Sequence, residues 1–379
     1  MSRDTGNIRY LKPIRSVETP STSFEDLIHK LEQRIEGIEK KVENHGQIDS
    51  KKLGSNLNSL VQLLEEKIQK ISNEILSHPE KKSSSFGSTS QFILESLEKF
   101  RKLLTTQEIF EILKSLWFGE RDENYEVDEF GLDPFFMKKV KPLFDFLYYN
   151  YWRVSVDGLK NIPAHGQGLI VSNHSGTLPY DGTMIAASIM NDHVSRRDVR
   201  FLVEDFVYHF PFLGTLMYRI GGVRACPENA ERLLSKGHLV TVFPEGIKGI
   251  GKHYKNRYHL QRFGRGGFIK LALKTNTPII PTAVIGAEEI HPLLYKSTVL
   301  ARPLGIPYIP ITPTLPWLGP LGLIPLPSKW KIIFGAPIHF NNQDPEDQLL
   351  VNRLSEMVRG KIQEMIVEAL KNRRSIWFG

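Results

Sequence analysis

The sequence predicts an α/β domain in which a mostly parallel sheet is flanked by helices, preceded by an N-terminal helical, coiled-coil extension. From residue 154 onward, short apolar runs alternate with amphipathic stretches, which is typical of parallel strands joined by helices. The first hundred residues differ from the rest, with two heptad-like runs followed by a Ser-rich stretch. Of the 379 residues, 41% are hydrophobic and 10% aromatic, so the chain can form a sizeable core.

The predicted elements of the α/β domain follow one another closely along the chain. The predicted strands are 168–172, 199–203, 238–243, 279–284 and 331–334, and the predicted helices are 181–190, 229–235, 266–274 and 347–372. Further helical patterns cover 92–104, 107–117 and 135–151. In such sheets the functional side chains lie beyond the carboxyl ends of the strands.

The N-terminal extension carries two heptad-like runs separated by a break. Apolar residues at a and d positions are Phe24, Ile28, Leu31, Ile35, Ile38 and Val42, and then Leu57, Val61, Leu64, Ile68, Ile71 and Ile75. Two amphipathic helices are expected, pairing with each other or, as a homo-oligomer, with another copy of the chain. Each run is shorter than three heptads, so a loosely ordered appendage is the alternative.

Composition divides the chain into four predicted parts. Residues 1–82 form the heptad-bearing extension, and the Ser-rich residues 83–90 form a flexible linker. Residues 91–152 are a helical lead-in that packs on the α/β domain, which covers residues 153–379. Residues 1–22 lack the apolar region of a signal peptide.

Net charge and cysteine content restrict which partners and cofactors are possible, but they do not select one. The net charge of +7 suits nucleic acid, an anionic membrane, a phosphorylated substrate or a generic basic surface. The one cysteine, Cys226, excludes an intramolecular disulfide and a Cys-rich metal site. A basic stretch with interleaved aromatic residues, 252–265, is compatible with phosphates or with a plain solvated face.

No sequence window suits a membrane-spanning helix. The nearest, 303–328, has no charged side chain, but its eight prolines forbid a regular helix. The sequence therefore predicts an apolar, irregular loop. If exposed, it would contact a membrane or a partner; if folded back, it would cover the core.

The first candidate catalytic motif follows the predicted strand 168–172. It runs from Ser172-Asn173-His174-Ser175-Gly176 to Asp181. A histidine held by a carboxylate can take a proton from a hydroxyl nucleophile, although Asp181 would equally suit a helix cap. Asn173 stands where a serine hydrolase elbow needs glycine, so Ser175 is disfavoured as a nucleophile.

One further motif follows a predicted strand, and another lies between it and the first motif. Phe243-Pro244-Glu245-Gly246 forms a tight turn that presents Glu245 and Lys248. Gly221-Gly222-Val223-Arg224 ends in an arginine that can bind a phosphate through two parallel hydrogen bonds.

Together these motifs resemble the glycerolipid acyltransferases of the lysophosphatidate type. Four blocks match in order, over roughly residues 157–340: Asn173-His174 with Asp181, Phe212-Leu213-Gly214 to Arg224, Phe243-Pro244-Glu245-Gly246, and Thr277-Pro278-Ile279-Ile280-Pro281. The family usually has four residues between the histidine and the aspartate, whereas six intervene here. After the third block, Ile247-Lys248-Gly249 replaces the frequent Thr-Arg-Ser, which bears on the acceptor head group.

The resemblance implies transfer of a fatty acyl group to a hydroxyl of a lysophospholipid or related glycerolipid. His174 would be the catalytic base and Asp181 its orienting partner, while Arg224, Glu245, Gly246 and Lys248 would bind substrate. Glu245 would bind an acceptor hydroxyl or, as the alternative, brace its loop. The donor would be acyl-CoA or acyl-carrier protein, with no bound cofactor, no metal and no nucleic acid partner. The enzyme would attach peripherally to the cytoplasmic side of a membrane. The alternative is a catalytically inactive, membrane-associated scaffold that keeps the acyltransferase fold.

Overall fold

The computed structural model describes residues 85–104, 111–112, 114–116, 126–176, 178, 180–209, 213–298, 301, 307–315, 322–340 and 343–379. The predicted heptads of residues 1–82 lie outside the described residues.

A seven-stranded sheet organises the molecule. The strands are β1 (Ser155–Asp157), β2 (Gly168–Ser172), β3 (Val199–Val203), β4 (Gly222–Arg224), β5 (Leu239–Val242), β6 (Ile279–Ile285), β7 (Tyr295–Ser297), β8 (Ile309–Ile311) and β9 (Lys331–Phe334). The sheet has the order β1-β9-β6-β2-β5-β3-β4, and β7 and β8 form a separate antiparallel pair. All neighbours in the large sheet are parallel except β6 and β9. The mostly parallel α/β sheet predicted from the sequence is confirmed.

Helices cover both faces of this sheet. They are α1 (Ser85–Leu104), α2 (Pro134–Asp145), α3 (Tyr180–Asp192), α4 (Leu213–Arg219), α5 (Pro227–Ser235), α6 (Ile247–Ile250), α7 (Gly267–Thr275) and α8 (Gln348–Lys371). None of the helices in the described part of the chain is long and apolar enough to cross a membrane.

The central strands are buried from both sides, which explains their continuous apolar sequence. Successive side chains of a strand point to opposite faces. Accordingly, Leu169 and Val171 of β2 pack in a core formed with α5, α7 and α8. Ile170 packs in the opposite core, together with α3 and the aromatic residues that precede β1.

The described end of the apolar segment 303–328 folds back on the domain. Tyr151 Oη donates to the carbonyl of Pro325, and Trp152 Nε1 donates to that of Leu326. The side chain of Leu323 is 48% exposed beside these anchored residues. This end of the segment therefore covers the core.

Residues 85–90 lie in α1, although the sequence predicts a flexible linker there. The helix is anchored further along by ring contacts of Phe100 with Tyr151 and of Phe92 with Phe378, with centroids 5.0 Å apart in each pair. Serine costs only a few tenths of a kcal/mol per residue in a helix, roughly, so a helix fixed by packing extends through it. The other domain boundaries stay predictions.

Candidate active site

His174 and Asp181 meet where β2 ends and α3 begins. The Nδ1 atom of His174 lies 2.7 Å from Oδ2 of Asp181. The carboxylate is fully buried, whereas the imidazole keeps 12% of its surface exposed. Asp181 also accepts the backbone N–H of Ser175 at 2.9 Å. The carboxylate thus faces back from the first turn of α3 to the loop that carries the histidine.

Gly176 turns the chain directly after His174 and Ser175. Its φ is +83°, a conformation that L side chains rarely adopt, and a Cβ there would lie 3.0 Å from the carbonyl oxygen of Ala287. Before the turn, the Asn173 side chain exchanges two hydrogen bonds with the backbone of Val284 in β6, at 3.0 and 2.8 Å. The loop is therefore anchored to the sheet directly before His174.

The third block packs against the histidine. Phe243 stacks on the imidazole ring with a centroid distance of 4.4 Å and an interplanar angle of 21°. A Cβ added at Gly249 would lie 2.7 Å from the Cβ of His174 and 2.7 Å from that of Glu245. Glycine at this position is thus needed for α6 to approach His174 this closely.

Glu245 braces the same loop. Its Oε1 accepts the backbone N–H of His174 at 2.9 Å, and its Oε2 accepts that of Gln261 at 2.6 Å. The side chain has no exposed surface. The carboxylate faces protein donors, and its binding of an acceptor hydroxyl stays a prediction.

Two residues that the motifs did not single out complete the surroundings of Glu245. Lys252 Nζ lies 3.3 Å from Glu245 Oε2 and 2.9 Å from Glu288 Oε1. Glu288 follows β6, so the general rule about carboxyl ends of parallel strands could have identified it. Lys252 belongs to the predicted basic stretch, but its side chain is only 3% exposed.

Arg224 lies at the same edge of the sheet as His174 but away from it. It ends β4, three strands from β2, which corresponds to about 14 Å across the sheet. Its guanidinium makes two hydrogen bonds to Asp205, at 2.6 and 2.8 Å, and both side chains are exposed. A phosphate bound to Arg224 would displace the Asp205 carboxylate from the guanidinium or bind beside it.

The remaining predicted substrate residues differ in their surroundings. Lys248 is exposed on α6. Gly246 has a φ of +55°, and its N–H donates to the carbonyl of Phe243 at 2.9 Å. Within the described part of the chain, no group of three or more His, Cys, Asp or Glu residues could hold a metal ion.

Comparisons with known proteins indicate the family of this chain. A family model described as Acyltransferase matches residues 153–285. An uncharacterized protein of Mycobacterium tuberculosis is 46% identical over 260 residues, which cover 68% of this chain and 73% of that protein. A protein of Homo sapiens named "DGAT1/2-independent enzyme synthesizing storage lipids" is 26% identical over 220 residues, 56% of this chain and 60% of the relative.

Among solved structures, the 1-acyl-sn-glycerophosphate (LPA) acyltransferase PlsC of Thermotoga maritima matches with a TM-score of 0.45 and 18% identity. The match covers 75% of this chain and 97% of that one. The family match and the extended similarity to the mycobacterial relative show that this chain belongs to the acyltransferase family.

Proposed function

We propose that the protein transfers a fatty acyl group from acyl-CoA or acyl-carrier protein to a hydroxyl of a lysophospholipid or related glycerolipid. The observation that carries this proposal is the 2.7 Å contact between His174 Nδ1 and the buried carboxylate of Asp181. With Asp181 ionised, the carboxylate can only accept, so Nδ1 carries the hydrogen and Nε2 is free to take a proton.

The reaction needs one proton carrier. His174 Nε2 removes the proton of the acceptor hydroxyl while the oxygen attacks the thioester carbonyl carbon. The tetrahedral intermediate then collapses, the C–S bond breaks, and the thiolate takes the proton from the imidazolium. Asp181 stabilises that imidazolium and fixes its orientation.

The oxyanion of the intermediate needs hydrogen-bond donors. The sequence offers loop N–H groups near Gly176 and Gly246. That of Gly246 donates to the carbonyl of Phe243, whereas that of Gly176 has no partner among the described residues. The loop N–H groups near Gly176 and Gly246 are the two candidate oxyanion donors of the proposal.

The acceptor head group is the open part of the proposal. Arg224 and Lys248 are the cations proposed for an acceptor phosphate. Because Arg224 already binds Asp205, and because the human relative is named for storage-lipid synthesis, uncharged glycerolipids belong in the acceptor panel beside lysophospholipids. We further propose peripheral attachment to the cytoplasmic side of a membrane, and homo-oligomers formed through residues 1–82.

The first prediction concerns the base. His174→Ala should abolish transfer of radiolabelled acyl groups from acyl-CoA to every acceptor of the panel, because the proton carrier is lost. Asp181→Asn should lower kcat by about 10⁴-fold, since it favours the wrong tautomer. His165→Ala, at an exposed position outside the site, is the matched control and should behave as wild type.

The alternative, an inactive scaffold, predicts a different result. A folded wild-type protein that transfers no acyl group from either donor to any acceptor would favour it. So would residual transfer that is equal in wild type and His174→Ala.

A further inference from the structure

Three charged side chains from separate segments are buried together beneath the catalytic loop. The side chains of Glu245, Lys252 and Glu288 are 0%, 3% and 5% exposed. Lys252 joins the two carboxylates, at 3.3 Å from Glu245 and 2.9 Å from Glu288. Burial would lower the pKa of Lys252, but the two carboxylates outweigh it and raise the pKa, so the ammonium stays charged.

This cluster is connected in one direction to the backbone of the catalytic histidine. Glu245 Oε1 accepts the His174 N–H at 2.9 Å. In the other direction, Glu288 Oε2 accepts the backbone N–H of Tyr258 at 3.0 Å, which fixes that carboxylate. Lys252 therefore attaches Glu245, and through it His174, to a part of the fold that follows β6.

A buried ion pair adds little net stability compared with apolar packing, because both ions lose their hydration. What such a pair supplies is a fixed geometry for its members. Here the fixed member, Glu245, touches the residue whose ring must stay aligned with Asp181 and with the acceptor. Gly249 contributes to the same alignment, because α6 packs directly against the Cβ atoms of His174 and Glu245 at this position.

We infer that Lys252 and Glu288 are positioning residues of the acyl transfer, which hold the Glu245 carboxylate on the backbone N–H of His174. The inference rests on the proposed function for its kinetic consequences. The family match ends at residue 285. Glu288 therefore supports Glu245 from outside the segment that the family model matches.

The chain offers an internal control one residue away. Glu289 is 3% exposed, like Glu288, but pairs with Arg373 through two hydrogen bonds of 2.6 Å each and accepts from Tyr258 Oη at 2.8 Å. The Glu289–Arg373 pair connects the turn after β6 to the C-terminal segment, whereas Glu288 connects it to Glu245 through Lys252. Glu289→Gln therefore disturbs a buried ion pair of comparable burial without removing any group of the Glu288–Lys252–Glu245 link to His174.

The experiment compares Lys252→Met, Glu288→Gln and Glu289→Gln in the full chain. Lys252→Met leaves two buried carboxylates facing each other, and the displaced Glu245 should lower kcat on the order of ten- to hundred-fold. The KM for the acceptor should stay within about twofold, because no substrate contact is removed. Adding Glu288→Gln to Lys252→Met should restore kcat several-fold, because the glutamine amide can donate a hydrogen bond to the Glu245 carboxylate, whereas adding Glu289→Gln should not.

A second measurement does not depend on activity. Hydrogen exchange at the backbone N–H of His174 should be faster in Lys252→Met than in wild type, because its hydrogen bond to Glu245 is weakened. It should be unchanged in Glu289→Gln. This measurement separates the inference from the proposed function, which would fail if the wild type transferred no acyl group.

Three results would overturn the inference. One is exchange at His174 that is equal in wild type and Lys252→Met. Another is a fall in kcat for Glu289→Gln as large as that for Lys252→Met at the same loss of Tm, which would assign the cluster to general stability. The third is a KM effect without a kcat effect, which would make Lys252 a substrate contact.

Discussion

Single residues around His174 fix its backbone, its Cβ and its ring separately. Glu245 accepts from the backbone, Gly249 packs on the Cβ, and Phe243 and Asp181 contact the ring. A residue held by several contacts at once has little freedom to move away from a reactive geometry, which is the condition for efficient proton transfer. Small changes at these neighbours should therefore affect the rate more than the stability.

Gly249→Ala tests whether a small change beside His174 affects the rate more than the stability. The added Cβ would lie 2.7 Å from the Cβ atoms of both His174 and Glu245, so one of them must shift. We expect kcat to fall on the order of a hundred-fold, since misplacement by about 1 Å has that effect. Steady-state kinetics with acyl-CoA and the best acceptor measure it.

Gly267→Ala is the matched control for this change. Gly267 lies at the start of α7, where a Cβ would meet nothing within 4 Å. It should leave kcat unchanged. Equal activity of wild type and Gly249→Ala would contradict the close packing described for α6.

At the scale of elements, α8 shows how sequence alone specifies a helix. Asp347 caps its start by accepting from the backbone N–H groups of Leu349 and Leu350, at 3.0 and 3.1 Å. One face is buried against the sheet, through residues at helical spacing: Val351, Leu354, Val358, Ile362 and Ile366. Both signals are local, and the predicted bounds 347–372 accordingly agree with the observed helix.

Gly360 is the weak position of α8. It is exposed in the middle of the helix, and a Cβ there would meet nothing within 4 Å. Gly360→Ala should raise the free energy of unfolding by about 1 kcal/mol, because glycine loses more backbone entropy on folding. Urea unfolding measures it, with acyl transfer expected to stay at the wild-type rate; unchanged or lower stability would show that the position is constrained in another way.

At the scale of the whole molecule, a buried histidine couples stability to pH. His291 is 2% exposed, its Nε2 lies 3.2 Å from the carbonyl oxygen of Leu323, and burial lowers its pKa to about 4. Because the unfolded chain has the higher pKa, near 6.5, it binds more protons than the folded protein between these values. The stability from neutral His291 is therefore present at pH 7 and is lost as pH falls through this window.

The expected loss between pH 7 and pH 5 is about 2 kcal/mol from this residue. Urea unfolding at both pH values measures it in wild type and in His291→Asn, which does not titrate there. The pH dependence should be smaller in the variant by that amount. The same slope in both proteins would assign the pH dependence to other groups.

The fold and the candidate site differ in how far the sequence predicted them. The strands β2, β3 and β9 agree closely with their predicted ranges, since apolar runs bounded by polar turns are a local signal. His174, Asp181 and Glu245 were found because their motifs are short and ordered. Lys252 and Glu288 were not, because they contact each other across 36 residues and neither stands in a motif.

What the sequence determined by itself is therefore the α/β class, most element bounds and the residue types of the motifs, because these depend on periodicity and on neighbours in the chain. Only the tertiary structure decided that Asp181 contacts His174 despite six intervening residues, that Arg224 pairs with Asp205, and that Glu288 supports Glu245 through Lys252. Those contacts depend on loop conformation and on which strands lie side by side. Neither is encoded by residue spacing, since both are settled only when distant segments pack together.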